Sequence, residues 1–320
     1  MKILGVVAIA AVVGLAFYSV SNYVSSDVET QFQEFLSMYG ANYGSVEEYN
    51  FRLRVFSDNL QTIDRLRIEN PLATFGVNKF ADRTQEEMNV RMGLIVPAGK
   101  KMLGSINEDI TAESSDYTYL YDHIEDQGSC GSCWAFSAAA TFEARKALAE
   151  DSNNPSVDTF YSEQQLVDCE PQSSGCNGGL MDYAFQYLTD HHFCSHSEYP
   201  YTAVTGSCKI NSCDKGPVDT GYADIPQGSE DFMYHKLHDD GPIAVAVDAT
   251  SWSYYQGGIL TSCSTALNHG VTLVGYNSDE NSATIRNSWG ESWGESGHIR
   301  LAAGQNMCGI ATMASFPTFE

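Results

Sequence analysis

Apolar and polar positions are arranged in three ways along this chain, and each arrangement predicts a different kind of element. Residues 3–20 form an apolar run interrupted only by Gly5, Gly14 and Ser19, with no polar face. Further on, Glu48, Arg52, Val55, Phe56, Asn59 and Ile63 fall three or four apart, which predicts a helix whose one side mixes apolar and paired polar residues. A second helix is predicted to start at Cys133, where Trp134, Ala135 and Phe136 open an apolar face continued by Ala138, Phe142, Arg145 and Leu148. The stretch from Tyr161 to Cys169 reads as a short helix with Ser162 and Gln165 as a capping box, and another helix runs from Met181 to about Asp190. From about residue 217 the texture changes. Residues 242–247, 259–260, 270–276, 283–288 and 298–302 are short alternating or β-branched runs separated by Gly, Asn, Asp and Ser, which predict strands of a small antiparallel barrel.

The expected class is therefore α+β, with a mainly helical half followed by a β half and a separate helical segment ahead of both. At 320 residues with 43% hydrophobic content, the chain has material for sizeable cores. Lys2 ahead of the first apolar run suits a secretory signal peptide over residues 1–21, with a small-residue exit at Ser19, Val20 and Ser21. Its 18 residues also suffice for a retained anchor, since a spanning helix needs roughly 17–25. Nine cysteines behind such a leader point to an oxidising compartment and a disulfide framework with one thiol left over.

Charge narrows the partners. Residues 1–112 carry 10 Lys/Arg against 13 Asp/Glu, whereas residues 113–320 carry 7 against 28, a net charge of −21. A body this acidic argues against nucleic acid as a partner, because such binding depends on neutralising phosphates. It is compatible with solubility in an acidic lumen. The chain has no Asn-x-Ser/Thr sequon.

The candidate chemistry centres on QGSCGSCWAFS, residues 127–137. A thiol at a helix N-terminus faces unpaired N–H groups and the positive end of the helix dipole, which favour the thiolate and predict a lowered pKa for Cys133. A thiolate nucleophile also needs an imidazole, and something to hold that imidazole. His269, in LNHGVTLVGY, lies 136 residues downstream, and Asn287, opening NSWGESWG, lies 154 downstream. The same Cys130-Gly-Ser-Cys133 also fits a redox CxxC, but the βαβ pattern that would carry one is missing.

These motifs, in this order, resemble those of papain-like cysteine proteases of the cathepsin L type, and the resemblance covers nearly the whole chain after the leader. It implies a papain-like two-domain fold, a helical left domain and an antiparallel β-barrel right domain spanning residues 113–320, with the substrate cleft between them. It implies Cys133 as nucleophile, His269 as acid and base, Asn287 as the group that orients the imidazole, and Gln127 as an oxyanion donor. Trp289 would cover the His–Asn contact. Gly178 and Gly179 would pair with extended substrate. Leu180, Met181, Ala246, Leu267 and Met313 would line an apolar pocket for the P2 residue, with Met313 standing where some relatives place an acid. Disulfides are implied between Cys130 and Cys176, Cys169 and Cys208, and Cys263 and Cys308, leaving Cys194 to pair with Cys213. The run His191, His192, Cys194, His196, Cys208 and Cys213 has the residue types of a metal site, but its spacing is irregular and the resemblance uses its cysteines in disulfides. No metal or cofactor is expected.

Ahead of the protease body, the pattern from Glu48 to Ile63 resembles the helical motif of this family's inhibitory propeptide, with Arg67 where the family has a final Asn. Gly76, Asn78, Phe80, Ala81 and Asp82 match its second motif, expected as a short strand packing on the enzyme. Residues 22–112 are thus read as a propeptide that acts as the chain's own inhibitor. Asp116 and Tyr117 stand in for the Asp-Trp pair near the mature start, which places the junction within 105–116. The expected product is a monomeric endopeptidase acting on proteins and peptides in a lysosome, a digestive vacuole or the extracellular space. A catalytically silent homologue would be signalled by replacement of the Cys, His or Asn, and none is replaced.

Overall fold

The computed structural model describes residues 25–105 and 111–319, so the leader and part of the junction region lie outside the described residues. The described residues form two compact units, one of residues 25–62 together with 77–83, the other of residues 63–76 and the described residues from 84 onward.

The first unit is built on helix α1 (Ser26–Tyr39) and the larger part of α2 (Val46–Glu69). Its core joins Phe32 and Phe35 of α1 to Leu53 and Phe56 of α2 and to Ala81. The polar positions of the α2 face hold the turn at 77–83. Arg52 pairs with Glu48 at 2.7 Å and donates to the Asp82 carbonyl at 2.9 Å, while Asn59 donates to the carbonyls of Ala81 and Arg83. Gly76 through Asp82 is therefore loop and turn. The expected strand lies three residues earlier, as β1 (Ala73–Phe75). Asn78 explains the shift, since its side chain accepts the Phe80 N–H at 3.0 Å and its carbonyl that of Ala81, a local bonding pattern that competes with a ladder.

The second unit holds α3 (Gln85–Asn89), β2 (Ser115–Asp116), α4 (Cys133–Glu150), α5 (Glu163–Cys169) and α6 (Met181–Asp190), then β3 (Gly221–Asp224), α7 (Glu230–Asp240), β4 (Ile243–Val247), β5 (Tyr255–Leu260), β6 (His269–Asn277), β7 (Ser282–Arg286), β8 (His298–Ala302) and β9 (Ala314–Thr318). The strands run in the order β1, β5, β8, β7, β6, β4, β9, β3, with β2 on β6. Pairing is antiparallel except between β5 and β8, which run parallel. Periodicity cannot reveal that exception, because it depends on which non-local edge β5 finds.

Helix α4 is the axis of this unit. It is buried on nearly all sides from Cys133 to Ala147, so the apolar face expected from sequence is only part of its buried surface. Trp134, Ala138 and Phe142 pack with Leu180, Met181, Phe185 and Ala246 in one core. Arg145 belongs on that face because it donates to the carbonyls of Pro242 and Gly241 and stacks over Phe316 at 3.7 Å. At α5, Ser162 accepts the Gln165 N–H at 2.9 Å, but Gln165 does not complete the box. Its side chain accepts from Cys194 N–H and donates to the His192 carbonyl, where buried backbone groups need partners.

Candidate active site

Cys133 is the first residue of α4 and is fully buried. Its sulfur accepts the Gly270 N–H at 3.4 Å. Burial pushes the thiol up to about 11, against the opposing pull of the N–H groups of Gly270, Gly93, Trp134 and Cys133 itself. The lowered pKa expected from the helix N-terminus is thus overturned in this state, because loss of solvent outweighs the dipole.

The first residue of β6 is His269, and Asn287 directly follows β7. Their side chains meet at 2.8 Å through Nε2 and Oδ1. The Ser288 N–H also donates to Oδ1 at 2.9 Å, which fixes the orientation of the Asn287 amide. Since Oδ1 can only accept, Nε2 carries the hydrogen and Nδ1 is the basic nitrogen. Burial pushes the imidazole down to about 4, and the bond to Asn287 only partly opposes this. The resting pair is neutral thiol and neutral imidazole. Trp289 lies 5.2 Å from the imidazole between ring centroids, with Trp252 edge-on at 6.3 Å and Trp293 against Trp289 at 5.0 Å. Trp252 carried no local signal in the sequence, because the fold alone brings it to the histidine, whereas Trp293 lies within the NSWGESWG motif and packs on Trp289 and Trp252.

Gln127 is fully buried. Its Nε2 donates to the carbonyls of Arg91 at 2.9 Å and Cys130 at 2.8 Å, and its Oε1 accepts from Ser288 Oγ at 2.8 Å. The donor expected to face an oxyanion therefore already holds a backbone oxygen from upstream in the chain. Arg91 is anchored by its own pair with Asp126 at 2.9 Å.

The residues after Arg91 lie along the glycine edge. The Gly179 N–H donates to the Gly93 carbonyl at 2.9 Å, the Ile95 N–H to the Gly179 carbonyl at 2.9 Å, and the Leu94 N–H to the Asn268 carbonyl at 3.1 Å. A Cβ on Gly93 would sit 1.9 Å from the Gly131 carbonyl oxygen, so only glycine permits this approach. Gly178 has φ of +119°, a conformation that favours glycine. Leu94 packs against the core that contains Leu180, Met181, Ala246 and Met313, as does Leu267.

Disulfides join Cys130 to Cys176, Cys169 to Cys208, Cys194 to Cys213 and Cys263 to Cys308, and Cys133 is the free thiol. His192 lies beside the Cys194–Cys213 bridge, and His191 stacks on Tyr187 at 4.2 Å. One cluster escaped sequence reasoning because its members are far apart in the chain. Glu125 Oε1 and Glu163 Oε2 lie 3.6 and 3.4 Å from His196 Nδ1, Arg286 is 3.8 Å from Glu125, and Glu143 is buried nearby on the Tyr161 N–H at 2.7 Å. Burial, with the neighbouring Glu163 adding to it, pushes Glu125 up to about 8, and burial also raises Glu143 and Glu163.

Comparison with known proteins places the chain in a family. Residues 111–318 match the papain family cysteine protease domain, and residues 32–88 match the cathepsin propeptide inhibitor domain. The chain is 38% identical to cathepsin L 2 of Paramecium tetraurelia, over 92% of this chain and 94% of that protein. It is also 38% identical to a cysteine proteinase of Trypanosoma brucei brucei, over 90% of this chain and 66% of that protein. Among solved structures, digestive procathepsin L2 proteinase from the Tenebrio molitor larval midgut superposes with a TM-score of 0.79 at 32% identity, covering 91% of this chain and 99% of that one. With a free thiol, a histidine and an asparagine gathered at one buried centre and an inhibitor domain ahead of them, the chain belongs to the papain family of cysteine proteases, as a cathepsin L-like proenzyme.

Proposed function

We propose that this chain is the latent precursor of an endopeptidase whose mature body starts within 105–116 and whose nucleophile is Cys133. Once the upstream segment leaves, water reaches the thiol and the imidazole, and both burial penalties fall. The thiol proton passes to Nδ1 of His269, and the thiolate attacks the scissile carbonyl carbon. The carbonyl electron pair moves to oxygen, where the Gln127 amide and the Cys133 N–H stabilise it. As the C–N bond breaks, His269 returns its proton to the leaving amine, leaving a thioester that water, deprotonated by His269, then hydrolyses. Asn287 holds the imidazole in register throughout.

A single observation carries this reading: the Arg91 carbonyl occupies the Gln127 donor while Gly93, Leu94 and Ile95 hydrogen-bond along Gly179 and Asn268. The chain's own segment takes the place of a peptide substrate. Leu94 against the apolar cluster favours Leu, Phe or Val at P2, and Met313 disfavours Arg there, since an unpaired guanidinium is costly to desolvate. The destination is the secretory pathway, ending in an acidic digestive compartment or outside the cell.

The test is hydrolysis of a fluorogenic Phe-Arg dipeptide amide by acid-treated precursor, beside Cys133→Ala. Thiol-dependent turnover that follows acidification and needs Cys133 is the expected result. No turnover from a fully processed wild-type protein would sink it.

A further inference from the structure

Beyond Ile95 the chain turns at Pro97, whose carbonyl accepts the Lys100 N–H at 3.1 Å, and the Lys100 ammonium then lands on Asp182 Oδ2. Asp182 is the second residue of α6, and its side chain is 1% exposed. Its other oxygen accepts from Ser315 Oγ at 2.6 Å. Asp224, at the end of β3, places Oδ1 at 3.8 Å from the same ammonium, and that oxygen is buried with no hydrogen-bond partner. Asp182 follows Met181 in the chain, and its partner Ser315 lies two residues beyond Met313, so Asp182 is held by the same two segments that supply Met181 and Met313 to the apolar cluster.

Lys100 precedes the junction at 105–116, so on the reading above it leaves with the propeptide. What stays behind is a carboxylate with one hydroxyl partner, next to a second carboxylate, in a body of net charge −21. Two neighbouring carboxylates that lose the cation they share repel each other, and another cation in its place relieves that repulsion. The order along the bound segment says which part of a substrate can supply one. Arg91 is at Gln127, Gly93 approaches Gly131 in the CGSC turn, Leu94 is against the apolar cluster, and Lys100 lies past them all. A substrate that fills the pocket with P2 continues away from Cys133 with P3, P4 and P5.

We propose that in the processed enzyme Asp182 and Asp224 form a cation subsite that takes a lysine or arginine side chain from P3 to P5 of the substrate. The inference rests on the protease reading, and its test separates the two. Peptides with Leu at P2 and a single Lys or Gln at P3, P4 or P5 are compared by kcat/KM on acid-processed enzyme. One position is expected to favour Lys by about tenfold at low ionic strength, with the ratio shrinking in high salt. Both Asp182→Asn and Asp224→Asn should bring that ratio toward one, and the second variant serves if the first does not fold. Gln peptides cleaved as fast as Lys peptides at all three positions would overturn the subsite, as would a ratio that survives both substitutions. Failure to cleave any of the peptides would overturn the protease reading, and the subsite with it.

Discussion

The side-chain amide of Gln127 donates to the main-chain carbonyl of Arg91 at 2.9 Å, although 36 residues separate them. The same nitrogen also donates to Cys130, and Ser288 fixes the amide from its oxygen side, so the group is preorganised before any substrate arrives. Replacing Gln127 with Ala should lower kcat/KM of the processed enzyme by about 10²–10³, the usual cost of one oxyanion donor. Steady-state kinetics on one fluorogenic peptide checks this. A loss of less than fivefold would mean that Gln127 serves only the fold.

The neutral resting pair makes a prediction about reactivity. With Cys133 pushed up to about 11 and His269 down to about 4, the precursor holds almost no thiolate at pH 7. Alkylation of the intact precursor by iodoacetamide should be slow at neutral pH and accelerate only toward pH 11. After processing, the alkylation midpoint should fall by several pH units. Equal profiles before and after processing would contradict the claim that burial by the upstream segment silences the thiol.

Gly93 offers a way to loosen latency without touching the catalytic groups. Gly93→Ala puts a Cβ within 1.9 Å of the Gly131 carbonyl oxygen, a backbone atom that cannot swing aside. The segment must lift, and its bonds with Gly179 lengthen or break. Unprocessed Gly93→Ala precursor, shown intact on a gel, should turn over peptide at neutral pH about tenfold or more faster than wild type, the equivalent of ~1.4 kcal/mol of lost inhibition. Unchanged latency would show that the pairing at Gly179 is dispensable.

Stability should fall as pH rises. Glu125 is pushed up to about 8 from its ordinary 4.5, so between those values the folded chain holds a proton that the unfolded chain has released. The contribution is complete below 4.5 and is lost progressively toward 8. Glu143 and Glu163 shift the same way, while the Arg286 guanidinium and the His196 imidazole face the cluster. Denaturation midpoints at pH 4.5, 6 and 8 should decline in that order, and Glu125→Gln should flatten the decline. A wild-type midpoint that rises over this range would refute the account.

Much of the site was legible because its chemistry demands particular residues in recognisable local settings. A thiol opening a helix, a histidine opening a β run and an asparagine after one are visible as Cys133, His269 and Asn287, and the fold brings their backbone elements together. The α2 face was legible in the same way, although its polar members proved to hold the turn at 77–83.

What the sequence determined by itself, then, was whatever depends on neighbours within a helix turn or a strand: the elements, the apolar faces and the candidate nucleophile. Tertiary structure decided what depends on burial and on partners far apart in the chain. It turned a thiol expected to be acidic into a suppressed one, filled the Gln127 donor with Arg91, and ran β5 parallel to β8. It also gathered Glu125, Glu143 and Glu163 from three separate segments, and set Lys100 on Asp182. Loss of solvent and long-range electrostatics decide those outcomes, and neither has a signature in local periodicity.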